Sequence, residues 1–105
     1  MKGFGLNIIK EAKEMAAKLE KVKSELMNKT VTATVGGGMV TVVANGQQQI
    51  VKISLEREII NPDDVELLED LLLSGTNEAL RKSVELAAEE MSKITGGLKI
   101  PGLSA

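Results

Sequence analysis

The residues of this chain that could do chemistry are lysines and carboxylates, and they gather in stretches rather than in catalytic constellations. Lys10, Lys13, Lys18, Lys21 and Lys23 lie in one short segment, with Lys2 and Lys29 at its ends. On a helix, such lysines neutralise nucleic-acid phosphates and release their counterions. Arg81, Lys82, Lys93 and Lys99 are further candidates from the second half. Asp63, Asp64, Glu66, Glu69 and Asp70 form an acidic cluster of a type that binds divalent cations or supplies an acid/base pair. Two of these five suit the start of a helix, where the dipole favours negative charge, and the others fall on a solvent face. Neither a metal site nor catalysis is therefore expected. The sequence has no His and no Cys, which excludes thiol nucleophiles, His-dependent triads, the usual zinc sites and disulfides. Gly36-Gly37-Gly38 lacks the Lys-Ser/Thr of a phosphate loop and opens a strand, not a helix. The chain reads as a non-enzyme with no cofactor.

Charge is unevenly spread. Residues 1–29 carry seven Lys against four Glu, and residues 30–105 carry six basic against eleven acidic side chains, so +3 and −5 sum to the net −2. A basic arm on an acidic body still binds a polyanion locally. Without Arg-rich or Asn/Gln-rich positions on the same face, base-edge reading should be weak, leaving salt-dependent backbone contact. Phe4 is the single aromatic residue, so the core must be built from Leu, Ile, Val, Met and Ala. The apolar runs are far short of the roughly 20 residues of a membrane span. No apolar leader core with a small-residue cleavage site is present, and a cytoplasmic location is expected.

These residues must be positioned by one domain over 1–105, in the α+β class. Asn45-Gly46 between two runs rich in Val, Ile and Thr predicts a hairpin with a type I′ turn. Thr30 to Val35 adds a strand, joined through the three glycines, giving a three-stranded antiparallel meander over 30–55. In the last strand Gln49, Val51, Ile53 and Leu55 share one face by simple alternation. A small sheet of this kind leaves two edges and is easily completed by a second copy. Before it, Ile8, Ala12, Met15, Leu19, Val22 and Leu26 form a heptad seam and predict a helix over 8–28, with 1–7 frayed. After it, Asn61 as cap, Pro62 in the first turn and Asp63-Asp64 predict a helix over 62–95. Its early face is wide (Val65, Leu67, Leu68, Leu71, Leu72, Leu73), and it narrows to Leu80, Val84, Ala87, Met91 and Ile94. Gly75 within it predicts close packing or a kink. Residues 96–105 read as a mobile apolar tail.

In this order the parts are familiar: a Lys-rich helix, a glycine-led strand ending in Val-Ala-Asn-Gly, then Ile-Val-Lys-Ile-Ser-Leu. Leu68-Glu69-Asp70-Leu71-Leu72, Asn77-Glu78-Ala79 and Gly-Leu-Lys-Ile-Pro-Gly follow. From about Lys10 to Leu103 the chain resembles the YbaB/EbfC family of bacterial nucleoid-associated proteins. Ser74-Gly75 departs from the Ala-rich helix that members carry there. The resemblance implies a helix–three strands–helix subunit, a tweezer-like homodimer and binding of duplex DNA without a cofactor, in the cytoplasm and on the nucleoid. Candidate DNA contacts are then Lys10, Lys13, Lys18, Lys21, Lys23, Arg81, Lys82 and Lys93. Candidate dimer contacts are Leu68, Leu71, Leu72, Leu80 and Val84. The alternative from another class is a dimeric protein-interaction module, served by the acidic body, the paired seams and the apolar tail.

Overall fold

Three runs of β-branched residues pair into one antiparallel meander, β1 (Thr30–Val35), β2 (Val40–Asn45) and β3 (Ile50–Leu55), in the order β1-β2-β3. A computed structural model describes residues 2–95, with side chains over 5–94. The sheet is preceded by α1 (Lys2–Asn28) and followed by a single 3-10 turn (Arg57–Ile59) and by α2 (Val65–Thr95). The fold is α+β, as the sequence predicts. The tail 96–105, with Lys99, lies outside the described residues.

The core sits between α2 and one face of the sheet. Val31, Ala33 and Val35 stand opposite Ala44, Val42 and Val40. Ala33, Val40, Val42 and Ala44 are fully buried together with Ala79 of α2. Small residues at this contact let the helix axis approach the sheet. A Cβ on Gly75 would lie 3.0 Å from Val42 Cγ2 and 3.3 Å from Val35 Cγ2. Gly75 thus serves close packing, and α2 runs unbroken through it.

Four local features differ from simple pattern reading. First, α1 begins at Lys2 rather than at 8, because extending an existing helix fixes one residue per hydrogen bond and tolerates Gly3 and Gly5. Second, α2 begins at Val65. Asn61 Oδ1 accepts from Asp63 N (2.9 Å) in an Asx turn, and it is Asp64 Oδ1 that accepts from Leu67 N (3.3 Å) as the cap. Third, the β2–β3 register shifts between Val43 and Ala44, so Ala44 pairs with Ile50 and Val42 with Ile53. Val51 becomes the bulged residue, and Ile50, Ile53 and Leu55 share the inner face instead of Val51, Ile53 and Leu55. Fourth, the Asn45-Gly46 turn is not type I′. Among the described residues, positive φ occurs at Gly36 (64°), Gly37 (67°), Gly38 (95°) and Gln48 (61°), so the β2–β3 loop turns at Gln48.

Two long helices on a small sheet make an elongated body. The radius of gyration is 19.9 Å and the longest dimension 74 Å, against about 13 Å for a compact chain of this length. Apolar surface is left bare as a result: α2 covers β1 and β2 and barely reaches β3, where Ile53 and Leu55 stay 48% and 37% exposed.

Candidate nucleic-acid interface

The lysines of α1 are carried on an arm held at one end. Leu26 is buried, Met15, Leu19 and Val22 are half-buried, and Leu6, Ile8 and Ile9 are exposed. Lys29 Nζ meets Glu90 Oε1 at 2.9 Å, while Lys18, Lys21, Val22 and Glu25 line one groove with Glu90, Lys93 and Ile94. As α1 numbers fall, α2 numbers rise, so the helices run antiparallel. At 1.5 Å per residue, the part of α1 before Lys18 extends roughly 24 Å beyond that groove.

Lys10, Lys13, Lys18, Lys21 and Lys23 are all exposed. At 100° per residue, Lys10, Lys13, Lys18 and Lys21 fall in an arc of about 140° facing away from the seam, and Lys23 lies on the other flank. Among the described residues, no side-chain ammonium of these five forms an ion pair or hydrogen bond. Glu11, Glu14 and Glu25 are interleaved on the same face and soften its positive potential.

The cations of α2 are differently placed. Arg81 lies against Glu78, with Nη2–Oε1 at 2.6 Å and Nε–Oε2 at 3.0 Å, and Nη1 also donates to Glu85. Glu78 and then Glu85 push the guanidinium further up, and Arg81 holds the Glu78 carboxyl below the usual carboxylate range. Lys82 Nζ donates to Thr32 O at 2.8 Å, tying α2 to the edge strand β1. Lys93 Nζ donates to Glu90 Oε1 at 3.1 Å. Glu90 is buried between Lys29 and Lys93, whose hydrogen bonds hold its carboxyl below the ordinary range against the opposing effect of desolvation. Glu90 raises the Lys29 ammonium in turn. The structure therefore divides the predicted contacts: five free lysines on α1, and three cations of α2 with partners inside the subunit.

The candidate dimer residues divide too. Leu71 and Leu72 pack on the subunit's own core, Leu68 and Leu80 are half-buried, and Val84 is 48% exposed. Lys82 reaches β1 and Ser83 reaches the β2–β3 tip, and at about 100° per residue Leu73, Leu80 and Val84 turn away from Gly75, the position packed on the sheet. Leu73 is 64% exposed there, and Ile53 and Leu55 of β3 are exposed as well. Sequence reading did not single out Leu73, Ile53 and Leu55 as exposed apolar residues, because the placement of α2 decides their exposure. It also missed the Lys29–Glu90–Lys93 cluster, of which the only sequence signal is the i,i+3 spacing of Glu90 and Lys93. Asp63, Asp64, Glu66, Glu69 and Asp70 are all exposed, and no metal-holding group of carboxylates forms among the described residues. Among those residues, no helix is long and apolar enough to cross a membrane.

Comparison with known proteins points the same way. Residues 2–98 match the sequence profile of the YbaB/EbfC DNA-binding family. The chain is 54% identical over 102 residues to a nucleoid-associated protein of a Thermoanaerobacter species, covering 96% of this chain and 92% of that one. It is 53% identical over 105 residues to a nucleoid-associated protein of Acetivibrio thermocellus, covering 96% and 93%. In fold it is similar to the crystal structure of an uncharacterized protein from Helicobacter pylori, with a TM-score of 0.75 at 20% identity, covering 85% of this chain and 94% of that one.

Proposed function

This chain belongs to the YbaB/EbfC DNA-binding family, and from that premise we propose that it binds duplex DNA as a homodimer, through phosphate contacts made by the free lysines of α1. The relatives are named nucleoid-associated proteins, and this chain takes the same place, in the cytoplasm on the nucleoid. The family is described by DNA binding and the relatives by nucleoid association, neither by an enzymatic activity, and the protein acts by binding. The observation that carries the reading is the division of cations. Ammoniums without internal partners neutralise phosphates without first breaking a bond, whereas Arg81, Lys82 and Lys93 must give one up. Lysine is a point charge on a flexible stem, so sequence preference is low.

The dimer reading rests on the exposed apolar residues Ile53, Leu55, Leu73 and Val84, with half-buried Leu80 beside them on α2. A second copy seated there removes apolar surface from water at about 25 cal/mol per Å² and sets two lysine arms on one particle. Two arms bridge or bend a duplex. A protein-interaction role is the second reading, favoured by Leu6, Ile8 and Ile9, which are exposed at the outer part of the arm by 68%, 51% and 54%.

Fluorescence anisotropy of a random duplex, titrated at several salt concentrations, tests the proposal. The expected result is a linear fall of log affinity with log salt, at about −0.9 per phosphate neutralised. No binding at the lowest salt, with the dimer intact, would leave the protein-interaction reading.

A further inference from the structure

We propose that the β2–β3 tip, Asn45 to Gln49, is the joint that positions the α1 arm, with Gly46 and Gln47 acting on DNA binding through α1 while touching no DNA themselves. The inference rests on the reading of α1 as the DNA-contacting element.

The last turn of a helix leaves carbonyls without intrahelical donors. In α1 the Leu26 carbonyl is supplied from the tip, some 20 residues further on in the chain, and the tip also reaches the carbonyls of Lys23 and Lys29 on either side of it. Gly46 N donates to Leu26 O at 2.8 Å and to Lys29 O at 3.0 Å, and Gln47 Nε2 donates to Lys23 O at 2.6 Å. Lys29 N closes the turn on Glu25 O at 3.1 Å. The same tip grips α2: Gln48 N donates to Ser83 Oγ at 2.9 Å, and Ser83 Oγ donates to Asn45 O at 2.6 Å, fully buried. Asn45 stiffens the loop from within. Its Oδ1 accepts from Gln47 N (2.9 Å) and Gln49 N (3.2 Å), and its Nδ2 donates to Gln49 Oε1 (2.7 Å). One short loop is thus hydrogen-bonded to both helices at their crossing with the sheet, so its shape fixes the angle at which the arm leaves the body.

Gly46 is the tightest point of the joint. A Cβ there would lie 2.6 Å from Leu26 Cδ2 and 2.9 Å from both Leu26 Cβ and Leu26 O. The last of these is backbone and has no rotamer to escape into. Gly46 has no positive φ, so an alanine is acceptable to the loop and unacceptable only to α1. Gly46→Ala therefore moves the arm without rebuilding the sheet.

The test uses the full chain with single cysteines introduced at Ala16 and Glu89, both exposed and outside the lysine set, which label cleanly because the sequence has no cysteine. Spin-label distances between these sites, in the absence of DNA, are read beside anisotropy with a random duplex. Gly46→Ala is expected to shift or broaden the distance distribution. It should lower DNA affinity about tenfold and make the salt slope shallower by about 1 or more, the loss of at least one phosphate contact. Gln47→Ala should do the same more weakly, and Gln47→Glu, which keeps the length but not the donor, should resemble Gln47→Ala. A mere loss of stability would lower the active fraction and leave the salt slope unchanged. An unaltered distance distribution in Gly46→Ala overturns the joint. An altered distribution with unchanged DNA affinity and slope keeps the joint and overturns its role in binding. Absence of DNA binding in the unsubstituted protein overturns the functional reading alone.

Discussion

Glu90 shows how a single side chain links burial, charge and arm docking. Its side chain is 10% exposed, and both Lys29 and Lys93 donate to it. Because the folded carboxyl titrates below its unfolded value, its contribution is present above the unfolded pKa and is lost as pH falls through the folded one. Thermal stability followed down through about pH 4 should therefore drop more steeply in the native protein than in Glu90→Gln. The variant should already melt lower at neutral pH. Equal acid limbs would mean that Lys29 and Lys93 do not select the carboxylate. Surface charge at the same scale predicts a contrast in binding. Lys13→Glu, Lys18→Glu and Lys21→Glu combined should weaken duplex binding at least about tenfold at low salt, with a shallower salt slope. Arg81→Ala should change it by less than about twofold, since Arg81 is already occupied by Glu78 and Glu85. The reverse ranking in an anisotropy titration would move the interface to α2.

At the scale of elements, what depended on local pattern was legible and what depended on a distant neighbour was not. The β-branched runs and the heptad seam of α1 report directly on period, so three strands and two long helices follow from residue spacing alone. The type I′ turn at Asn45-Gly46 does not occur, because Gly46 is held against the end of α1 and Asn45 spends its side chain on Gln47 and Gln49. The bulge at Val51 puts Ile50 in place of Val51 on the inner face of β3, something that strict alternation conceals. The cap of α2 moved from Asn61 to Asp64 because Asn61 closes its own Asx turn. That reassignment is measurable. Asp64→Ala should cost about 1 kcal/mol in chemical denaturation, and Asn61→Ala distinctly less. In the body of α2, Gly75→Leu should cost about 1–3 kcal/mol by overpacking against Val42 and Val35, although leucine is the better helix former. Of the candidate site, the lysines of α1 were legible as a basic stretch. Their freedom, and the occupation of Arg81, Lys82 and Lys93, required knowing what lies beside each of them.

The whole molecule is best understood from what it leaves uncovered. A subunit with a longest dimension of 74 Å spreads a small core thinly, and α2 alone covers only part of the sheet. Exposed apolar residues occur on α1, β3 and α2 alike. Ile53 and Leu55 on the inner face of β3 and Leu73 and Val84 on α2 are all exposed, and exposed apolar surface is what the proposed second copy would cover. The residues that decide assembly should then be the exposed ones. Leu71 and Leu72 are tied to the subunit's own core, so charges placed there damage folding and association together. Leu73→Lys with Val84→Lys, by contrast, should leave the circular-dichroism spectrum intact and convert a dimer to a monomer in sedimentation velocity, because both side chains face outward from the subunit. The monomer keeps one lysine arm, so its binding to a duplex should persist with roughly half the salt slope. Bridging of two labelled duplexes should disappear. A double variant that still sediments as a dimer would place the second copy elsewhere, on the β1 edge or along the arms. A monomer with the full salt slope would mean that each arm acts alone, and that pairing serves only to bring two duplexes together.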